Sequence, residues 1–411
     1  MISRTHRTVV LLILVAVAIV ASDSTLAYGD YVESFQAWSA SSNDTWQTKD
    51  LSGAPFNVPA NAVAEVAVRN ANASTELWGG VRAVGSSLER RFQLHEAEDG
   101  GWDVVVMHVQ TDGSSQIQHY SDDMGDVDFV LLGYWDSGVY TEAFQSFVAG
   151  ANNTWEDHIL SSYGVGSGLV AEVVLVNAFA NKDEKVGVRA KGSSLSRLLD
   201  LHEAESGGLD AATMFVQTDP TANATIEIYA QNKNKSDLFL VGYWSTPPGT
   251  YTETFSVIGS PTADATWEDK DLTGLGVPAN AVAEVTLENA FATGENNMGV
   301  RANGSSLARL LDLHEAEGVG TGGFGDFGRM HVTADATSTI EFYHEDVSDA
   351  HEFVLTGYWS STKRIVLWHE VRNPPAGACC LSGGGCVVTT QTDCTAKSGT
   401  YQGDGTRCPC P

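Results

Sequence analysis

One stretch of sequence occurs three times in this chain of 411 residues, and it limits what the chain can fold into. The clearest copy covers residues 299–317 and reads GVRANGSSLARLLDLHEAE. Earlier copies cover residues 187–205 and, with more differences, residues 80–98. The histidines of the three copies are 107 and 112 residues apart. A period of this length fits a whole small domain and is too long for one unit of a solenoid. The sequence therefore predicts one module that is used three times.

Each module consists of short segments in which large and polar residues alternate, with turn residues between them. Such alternation is typical of half-buried strands. Seven or so strands in each module predict an all-β chain of three tandem antiparallel β-sandwich modules of jelly-roll type, plus a small disulfide-rich tail. One segment stays open. In residues 307–314 the leucines lie at helical spacing, whereas Leu311 and Leu313 alternate as in a strand.

The repeats define the domain boundaries. The junctions between modules are only a few residues long, so we expect the modules to form a semi-rigid string. We predict a signal peptide at residues 1–27, modules at 31–136, 139–246 and 250–362, a strand or linker at 363–376, and a cysteine-rich disulfide tail at 377–411.

The N-terminal segment indicates export. Basic residues at 4–7 precede an unbroken apolar run at 9–21, which is short for a bilayer span and typical of a secretory signal peptide. An uncleaved anchor is the alternative. Because no second long apolar run follows in the sequence, we expect no membrane span after cleavage. The expected location is the extracellular space or the cell surface.

Cysteine usage agrees with export, because all six cysteines lie in the tail. A tail with so little apolar mass needs disulfides to fold, and six cysteines allow fifteen pairings that sequence does not distinguish. A zinc site is the alternative, although no pair of Cys-x-x-Cys knuckles is present. The predicted disulfide residues are Cys379, Cys380, Cys386, Cys394, Cys408 and Cys410.

The formal net charge of −29 excludes some classes of partner. Nucleic acid needs a basic face, and an anionic membrane surface repels an acidic protein. The charge therefore serves either solubility in a salty medium or the collection of cations at an acidic surface.

Three recurring sequence patterns resemble a known type of module. They are Gly-Val-Arg-Ala-x-Gly-Ser-Ser, a strand ending in Gly-Tyr-Trp, and Trp-x-Asp. Over residues 31–360 they resemble a β-sandwich module found, often in tandem, in secreted proteins of marine bacteria and planctomycetes. The tail, at 377–386 and 399–408, resembles short cysteine-rich units at the ends of planctomycete extracellular proteins. The usual unit has a longer gap than Cys408-Pro-Cys410, which leaves the pairing open. The resemblance implies location and module type and brings no activity.

The His-Glu-Ala-Glu sequence of each repeat is the best candidate for chemistry. A histidine with carboxylates binds a divalent cation or works as acid and base. The zinc-protease pattern needs a second histidine four residues on, and that position is Asp99, Ser206 or Gly318. Three copies also favour binding over catalysis. We expect a structural role, with each copy packed singly between strands, and keep Ca²⁺ or ligand binding and catalysis as alternatives. The candidate metal residues are His95, Glu98, His202, Glu205, His314 and Glu317.

Recurring arginines and tryptophans are the candidates for ligand contact. Each arginine of Gly-Val-Arg is either an internal partner of a glutamate of its repeat (Glu96, Glu203 or Glu315) or a contact for a ligand carboxylate or sugar. Of the two aromatics in Gly-Tyr-Trp, one belongs to the core and the other is a candidate for stacking on a sugar ring. The candidate ligand-binding residues are Arg82, Arg189, Arg301, Trp135, Trp244 and Trp359.

These observations predict a secreted, non-catalytic repeat protein with a structural or adhesive role. Its expected partner is an extracellular glycan or another surface protein. The alternatives are an extracellular hydrolase that uses the His-Glu-Ala-Glu carboxylates, and a calcium-binding surface protein. No cofactor is expected, apart from Ca²⁺ in the last alternative.

Overall fold

A computed structural model describes the three modules and parts of the tail. The predicted signal peptide, the segment 363–376 and most of the tail lie outside the described residues. The described residues are 31–97, 101–179, 181–204, 208–221, 223–291, 294–315, 325–360, 377–380, 386–389, 394 and 400–401.

Every module contains eight strands in two four-stranded antiparallel sheets. Module 1 comprises β1 (Tyr31–Ser39), β2 (Gln47–Asp50), β3 (Val63–Asn70), β4 (Leu77–Ala83), β5 (Arg91–Leu94), β6 (Asp103–Gln110), β7 (Gln116–Ser121) and β8 (Val127–Trp135). Module 2 comprises β9 (Val139–Phe147), β10 (Glu156–Ile159), β11 (Val170–Asn177), β12 (Glu184–Ala190), β13 (Leu198–Leu201), β14 (Asp210–Gln217), β15 (Thr225–Ala230) and β16 (Ser236–Thr246). Module 3 comprises β17 (Thr250–Val257), β18 (Glu268–Asp271), β19 (Val282–Asn289), β20 (Asn296–Ala302), β21 (Leu311–Leu313), β22 (Asp326–Thr333), β23 (Thr339–His344) and β24 (His351–Ser360). Among the described residues, single 3₁₀ turns lie at Ser161–Tyr163 and Thr273–Leu275.

The strand order is that of a jelly roll in all three modules. In module 1 the first sheet runs β1-β8-β3-β6 and the second runs β2-β7-β4-β5, and modules 2 and 3 repeat this order. A jelly roll interleaves early and late strands in this way. The predicted all-β, tandem jelly-roll fold is confirmed.

The open segment at 307–314 contains a strand and no helix. Leu311 and Leu313 are fully buried and Asp312 points away from the core, so alternation decides the local structure. The strand β21 is held by pairing with β20, and β5 and β13 are its counterparts.

The central strand of each first sheet is buried on both faces. In β11 every residue from Val170 to Asn177 is buried. One face contacts the core of its own sandwich, and the other contacts the neighbouring modules. This double burial explains why the strand reads as an almost continuous apolar run.

The modules form a closed ring, and the expectation of a string was wrong in this respect. The edge strands β6, β14 and β22 all contact one another, so the three first sheets meet around an approximate threefold axis. Three equivalent backbone hydrogen bonds cross the interfaces. They run from Leu209 N to Gln93 O, from Gly325 N to Asp200 O and from Trp102 N to Asp312 O, over 3.1, 3.3 and 2.8 Å.

The described part of the tail is a small three-stranded sheet of β25 (Gly377–Cys380), β26 (Cys386–Thr389) and β27 (Thr400–Tyr401). Cys379 and Cys394 form a disulfide. The side chains of the other four cysteines lie outside the described residues. No helix among the described residues is long and apolar enough to cross a membrane.

Candidate site on the threefold axis

One buried arginine of each repeat fastens a module to the next. The three arginines have no exposed surface, and each pairs with a glutamate on the first strand of the following module. Nη1 of Arg90 lies 2.8 Å from Oε1 of Glu142. The equivalent pairs join Arg197 to Glu253 at 3.6 Å and Arg309 to Glu33 at 3.5 Å. The last pair joins module 3 to module 1 and closes the ring.

The same glutamates also bind the backbone of the preceding module. Ala83 N donates to Glu142 Oε1 over 2.7 Å, and Ala190 N and Ala302 N donate to Glu253 and Glu33 over 2.9 Å. These alanines follow the arginine of each Gly-Val-Arg sequence. The repeated stretch is therefore an interface sequence, which explains why it recurs.

Three buried glutamates form a layer further along the axis: Glu65, Glu172 and Glu284. Each accepts a hydrogen bond from the first tyrosine of its own module. His331 Nδ1 lies 2.8 Å from Glu65 Oε1 across one interface, and His108 Nδ1 lies 2.9 Å from Glu172 Oε1 across another. The third interface has Phe215 in this place, and its backbone N donates to Glu284.

Arg329 supplies positive charge within this glutamate layer. Its Nη2 donates to Glu172 over 2.6 Å. Burial alone would raise the pKa of Glu172, but His108 and Arg329 hold that pKa well below its usual value. Glu65, His108 and His331 lie close enough to share a metal ion, but Arg329 acts on the same carboxylates. A cation would be repelled there, so we read this layer as an ion-pair network.

The tryptophans that end the Gly-Tyr-Trp strands meet at one end of the axis. Their rings contact one another edge to face at centroid distances between 5.7 and 5.9 Å, and they are at most 2% exposed. The interpretation of Trp135, Trp244 and Trp359 as sugar-stacking residues was therefore wrong. They lie on the outer face of their own sandwich, but the neighbouring modules cover that face.

The repeat histidines meet at the other end. The ring of His95 lies 6.4 Å from that of His202 and 5.9 Å from that of His314, and all three residues are 3% exposed. The expectation that each copy packs singly was wrong. Asn70, Asn177 and Asn289 fix the three loops, because their Nδ2 groups donate to the carbonyl oxygens of His95, His202 and His314 over 2.6, 2.6 and 2.7 Å.

Three buried aspartates, Asp103, Asp210 and Asp326, stand beside the histidines. One carboxylate oxygen from each lies within 4.8 Å of the others. Asp103 accepts a hydrogen bond from the backbone N of His95, and Asp326 accepts one from that of His314. Together the six side chains line a small space of about 10 Å³. That volume admits an ion or a water molecule and excludes an organic substrate.

Burial changes the ionisation of both sets of side chains. It raises the pKa of Asp326 to about 7. Burial, followed by the charge of Asp326, raises the pKa values of Asp103 and Asp210 well above the usual range. Burial also lowers the pKa of His314 to about 3, and the two other histidines add to this effect. The imidazole of His314 is therefore neutral at pH 7.

The candidate arginines lie on the outside of each module, and the side chains they contact there differ from the glutamates first considered for them. Nε of Arg189 and Arg301 pairs with Glu227 and Glu341, and Nε of Arg82 donates to Gln118. Each guanidinium also lies 4.0 or 4.1 Å from a half-buried tryptophan ring. These contacts make the arginines internal partners, with Trp46, Trp155 and Trp267 as their platforms.

The structure therefore brings the three candidate histidines together, whereas Glu98, Glu205 and Glu317 lie outside the described residues. Sequence reasoning missed the aspartates and the interface arginines. Their one signal was recurrence, since Asp103 and Asp210 each follow the repeat histidine by eight residues, and Arg90, Arg197 and Arg309 occupy the same place in every repeat.

Comparisons with known proteins give no relative by sequence. No family model matches the chain, and no curated protein does. Among solved structures the chain is similar to one from Sulfolobus Turreted Icosahedral Virus, with 8% identity over 81% of this chain and 91% of that chain, at a TM-score of 0.19. A structure from the lipid-containing bacteriophage PM2 has 8% identity over 80% of this chain and 95% of that chain, at a TM-score of 0.16. The CBM22 tandem of Paenibacillus barcinonensis Xyn10C has 9% identity over 54% of this chain and 98% of that chain, at a TM-score of 0.15. Scores this low carry no functional argument, and the jelly-roll assignment rests on strand order.

Proposed function

We infer that the chain is a secreted, non-catalytic structural protein, a single-chain ring of three jelly rolls that serves as a rigid unit of an extracellular or adhesive assembly. The observation that carries this proposal is where the recurring residues lie. One set of repeated residues is buried in the interfaces between the modules: Arg90, Arg197 and Arg309, the three layer glutamates with their tyrosines, and the three tryptophans on the axis. Repetition therefore serves assembly of the ring.

The hydrolase alternative has little geometric support. The histidines of His-Glu-Ala-Glu are buried, and the space they share with the aspartates is about 10 Å³. A hydrolytic site needs a cleft that holds the scissile bond and a water molecule beside the catalytic groups.

A glycan partner is supported by a separate feature, a cleft of about 480 Å³ between modules 2 and 3. Phe255 supplies an aromatic ring, and Asp200 and Glu352 supply carboxylates, which are groups that bind sugar hydroxyls and ring faces. A glycan bound in this cleft would not contact the three axial tryptophans, Trp135, Trp244 and Trp359.

Two experiments test the proposal. An antibody against the chain should label the outside of intact cells or the culture medium, and purely internal labelling would contradict export. The purified chain should turn over none of a panel of glycosides, esters and peptides. Turnover that disappears in His202→Ala would establish the hydrolase instead.

A glycan array tests the partner. Binding that is lost in the double variant Asp200→Asn/Glu352→Gln and kept in Asp157→Asn, a surface control in module 2, would place the glycan in the cleft. Equal binding by all three proteins would exclude the cleft as the binding site.

A further inference from the structure

We propose that the three aspartates on the threefold axis, Asp103, Asp210 and Asp326, hold a calcium ion that locks the ring. The proposal does not depend on export or on the structural role inferred above. It rests on the composition of the site, on unpartnered atoms of the residues that line it, and on its size.

The ligand set is the one that calcium prefers. Each module contributes one carboxylate, and the three nearest oxygens lie within 4.8 Å of one another. A point equidistant from such oxygens is at most about 2.8 Å from each, which is close to the Ca–O distances of about 2.3–2.6 Å in proteins. The space measures about 10 Å³, and the three aspartates are at most 4% exposed, so an ion there would be largely shielded from solvent.

Several residues that line this space carry polar atoms without a hydrogen-bond partner. Oδ1 of Asp103 and Oδ2 of Asp210 are buried and accept no hydrogen bond. Nε2 of His95 and of His314 also lacks a hydrogen-bond partner, although both residues are 97% buried. Buried polar groups without partners are rare in folded proteins and indicate that a ligand or water is missing.

The tautomer of His95 agrees with a ligand in the cavity. Its Nδ1 lies 2.9 Å from the backbone oxygen of Glu96. A carbonyl oxygen only accepts, so Nδ1 carries the hydrogen, and in the neutral ring Nε2 then presents a lone pair. Histidines near metal ions are commonly oriented by such a backbone contact. The Nε2 lone pairs are suited to accept hydrogen bonds from water molecules bound to the ion.

Charge decides between this cluster and the glutamate layer. Glu65 and Glu172 already have Arg329 beside them. For Asp103 the neighbouring charges are those of Asp326 and Glu96, both negative. Among the described residues, no lysine or arginine forms an ion pair with Asp103, Asp210 or Asp326. Only the aspartate cluster gains from a divalent cation.

The backbone around the cluster is built for close approach. A Cβ atom at Gly208 would lie 2.9 Å from Cα of His95, and one at Gly101 would lie 2.7 Å from Cα of His314. Glycine at these two positions lets the histidine loop of one module reach the aspartate strand of another.

The test uses the full chain, refolded from urea in EDTA or in CaCl₂, so that the ion can enter while the three modules come together. Asp210→Asn keeps the shape and removes one negative ligand. Asp219→Asn is the matched control, since Asp219 lies in a turn of the same module and caps Thr221. Ionic strength is matched with NaCl, and thermal unfolding and calcium uptake by equilibrium dialysis are measured.

The proposal expects one calcium ion for each chain and a melting temperature that rises by several degrees in wild type and Asp219→Asn. Asp210→Asn should bind calcium about 100-fold more weakly. In EDTA it should melt at or above the wild-type temperature because repulsion is relieved, so calcium reverses the order of the two proteins. Misfolding of the variant cannot produce that reversal. An equal calcium shift in Asp210→Asn, a shift with ZnCl₂ but not CaCl₂, or no shift with any cation would each overturn the proposal.

Discussion

The ion pair between Arg90 and Glu142 gives a direct measure of how strongly the interfaces hold the ring together. Arg90 is fully buried and the Glu142 side chain is 8% exposed, with 2.8 Å between their charged atoms. Arg90→Met keeps much of the volume but leaves the carboxylate without its cation. Removing one partner of a buried pair costs about 3–5 kcal/mol. The carbonyl oxygens of Val81 and His108 also lose their donors, and we expect a total loss of about 4–6 kcal/mol.

The chain offers a control pair with nearly the same distance and a different environment. Nζ of Lys191 lies 2.7 Å from Asp157, but the two side chains are 42% and 51% exposed. Lys191→Met should therefore destabilise the protein far less than Arg90→Met, because exposed ion pairs contribute little. Burial is the variable that separates the two substitutions.

Urea denaturation followed by tryptophan fluorescence measures both losses. A double-mutant cycle with Glu142→Gln isolates the coupling between the two side chains, which we expect to be about 1.5–3 kcal/mol. A coupling near zero, or an equal loss of unfolding free energy in Arg90→Met and Lys191→Met, would refute the idea that the buried ion pairs hold the modules together.

Two further predictions concern the cleft and the axis. Burial and the charges of Glu352 and Asp200 raise the pKa of Glu288 to about 8 in the folded protein. A raised folded pKa gives stability that is complete below pH 4.5 and is lost as pH rises through 8. Glu288→Gln should therefore melt higher than wild type at pH 8–9 and show a flatter pH profile by scanning calorimetry; parallel profiles would contradict the assignment. Trp244→Leu should cost about 3 kcal/mol, because it leaves a cavity beside two buried indoles. Trp155→Leu, at a half-buried position, should lower the free energy of unfolding clearly less when both variants are measured by urea denaturation. Equal losses would show that packing on the axis adds nothing to the stability contributed by a tryptophan.

The strands and the threefold repetition could be predicted because both signals are local or periodic. Alternation of large and polar residues needs only a few positions to be visible. At Leu311–Leu313 it competed with helical spacing of the leucines, so the sequence left open what the structure shows to be a strand. The ring could not be predicted in the same way. Its closing pair joins Glu33 to Arg309, and nothing in the intervening sequence shows that these residues meet.

The tryptophans show why alternation failed on the axis. The pattern indicates only that one face of a strand differs from the other. The face away from the sandwich core is usually exposed to solvent. Trp135 lies on that face, and its cover comes from the other modules. The aspartates were missed for a related reason. A single aspartate such as Asp103 at the start of a strand has no distinguishing neighbour in its own module, since its companions belong to the other two.

Fusion of the three modules into one polypeptide allows each to differ at the centre. Val106, Thr213 and Arg329 occupy equivalent positions on β6, β14 and β22. A trimer of identical subunits would have to place either three guanidinium groups there or none, and three would repel one another at close range. A gene that encodes all three copies can instead place one guanidinium group, that of Arg329, at this position. In the other two modules Thr213 donates a hydrogen bond to the backbone oxygen of Val106. The covalent ring thereby combines the shape of a homotrimer with the chemical freedom of a heterotrimer.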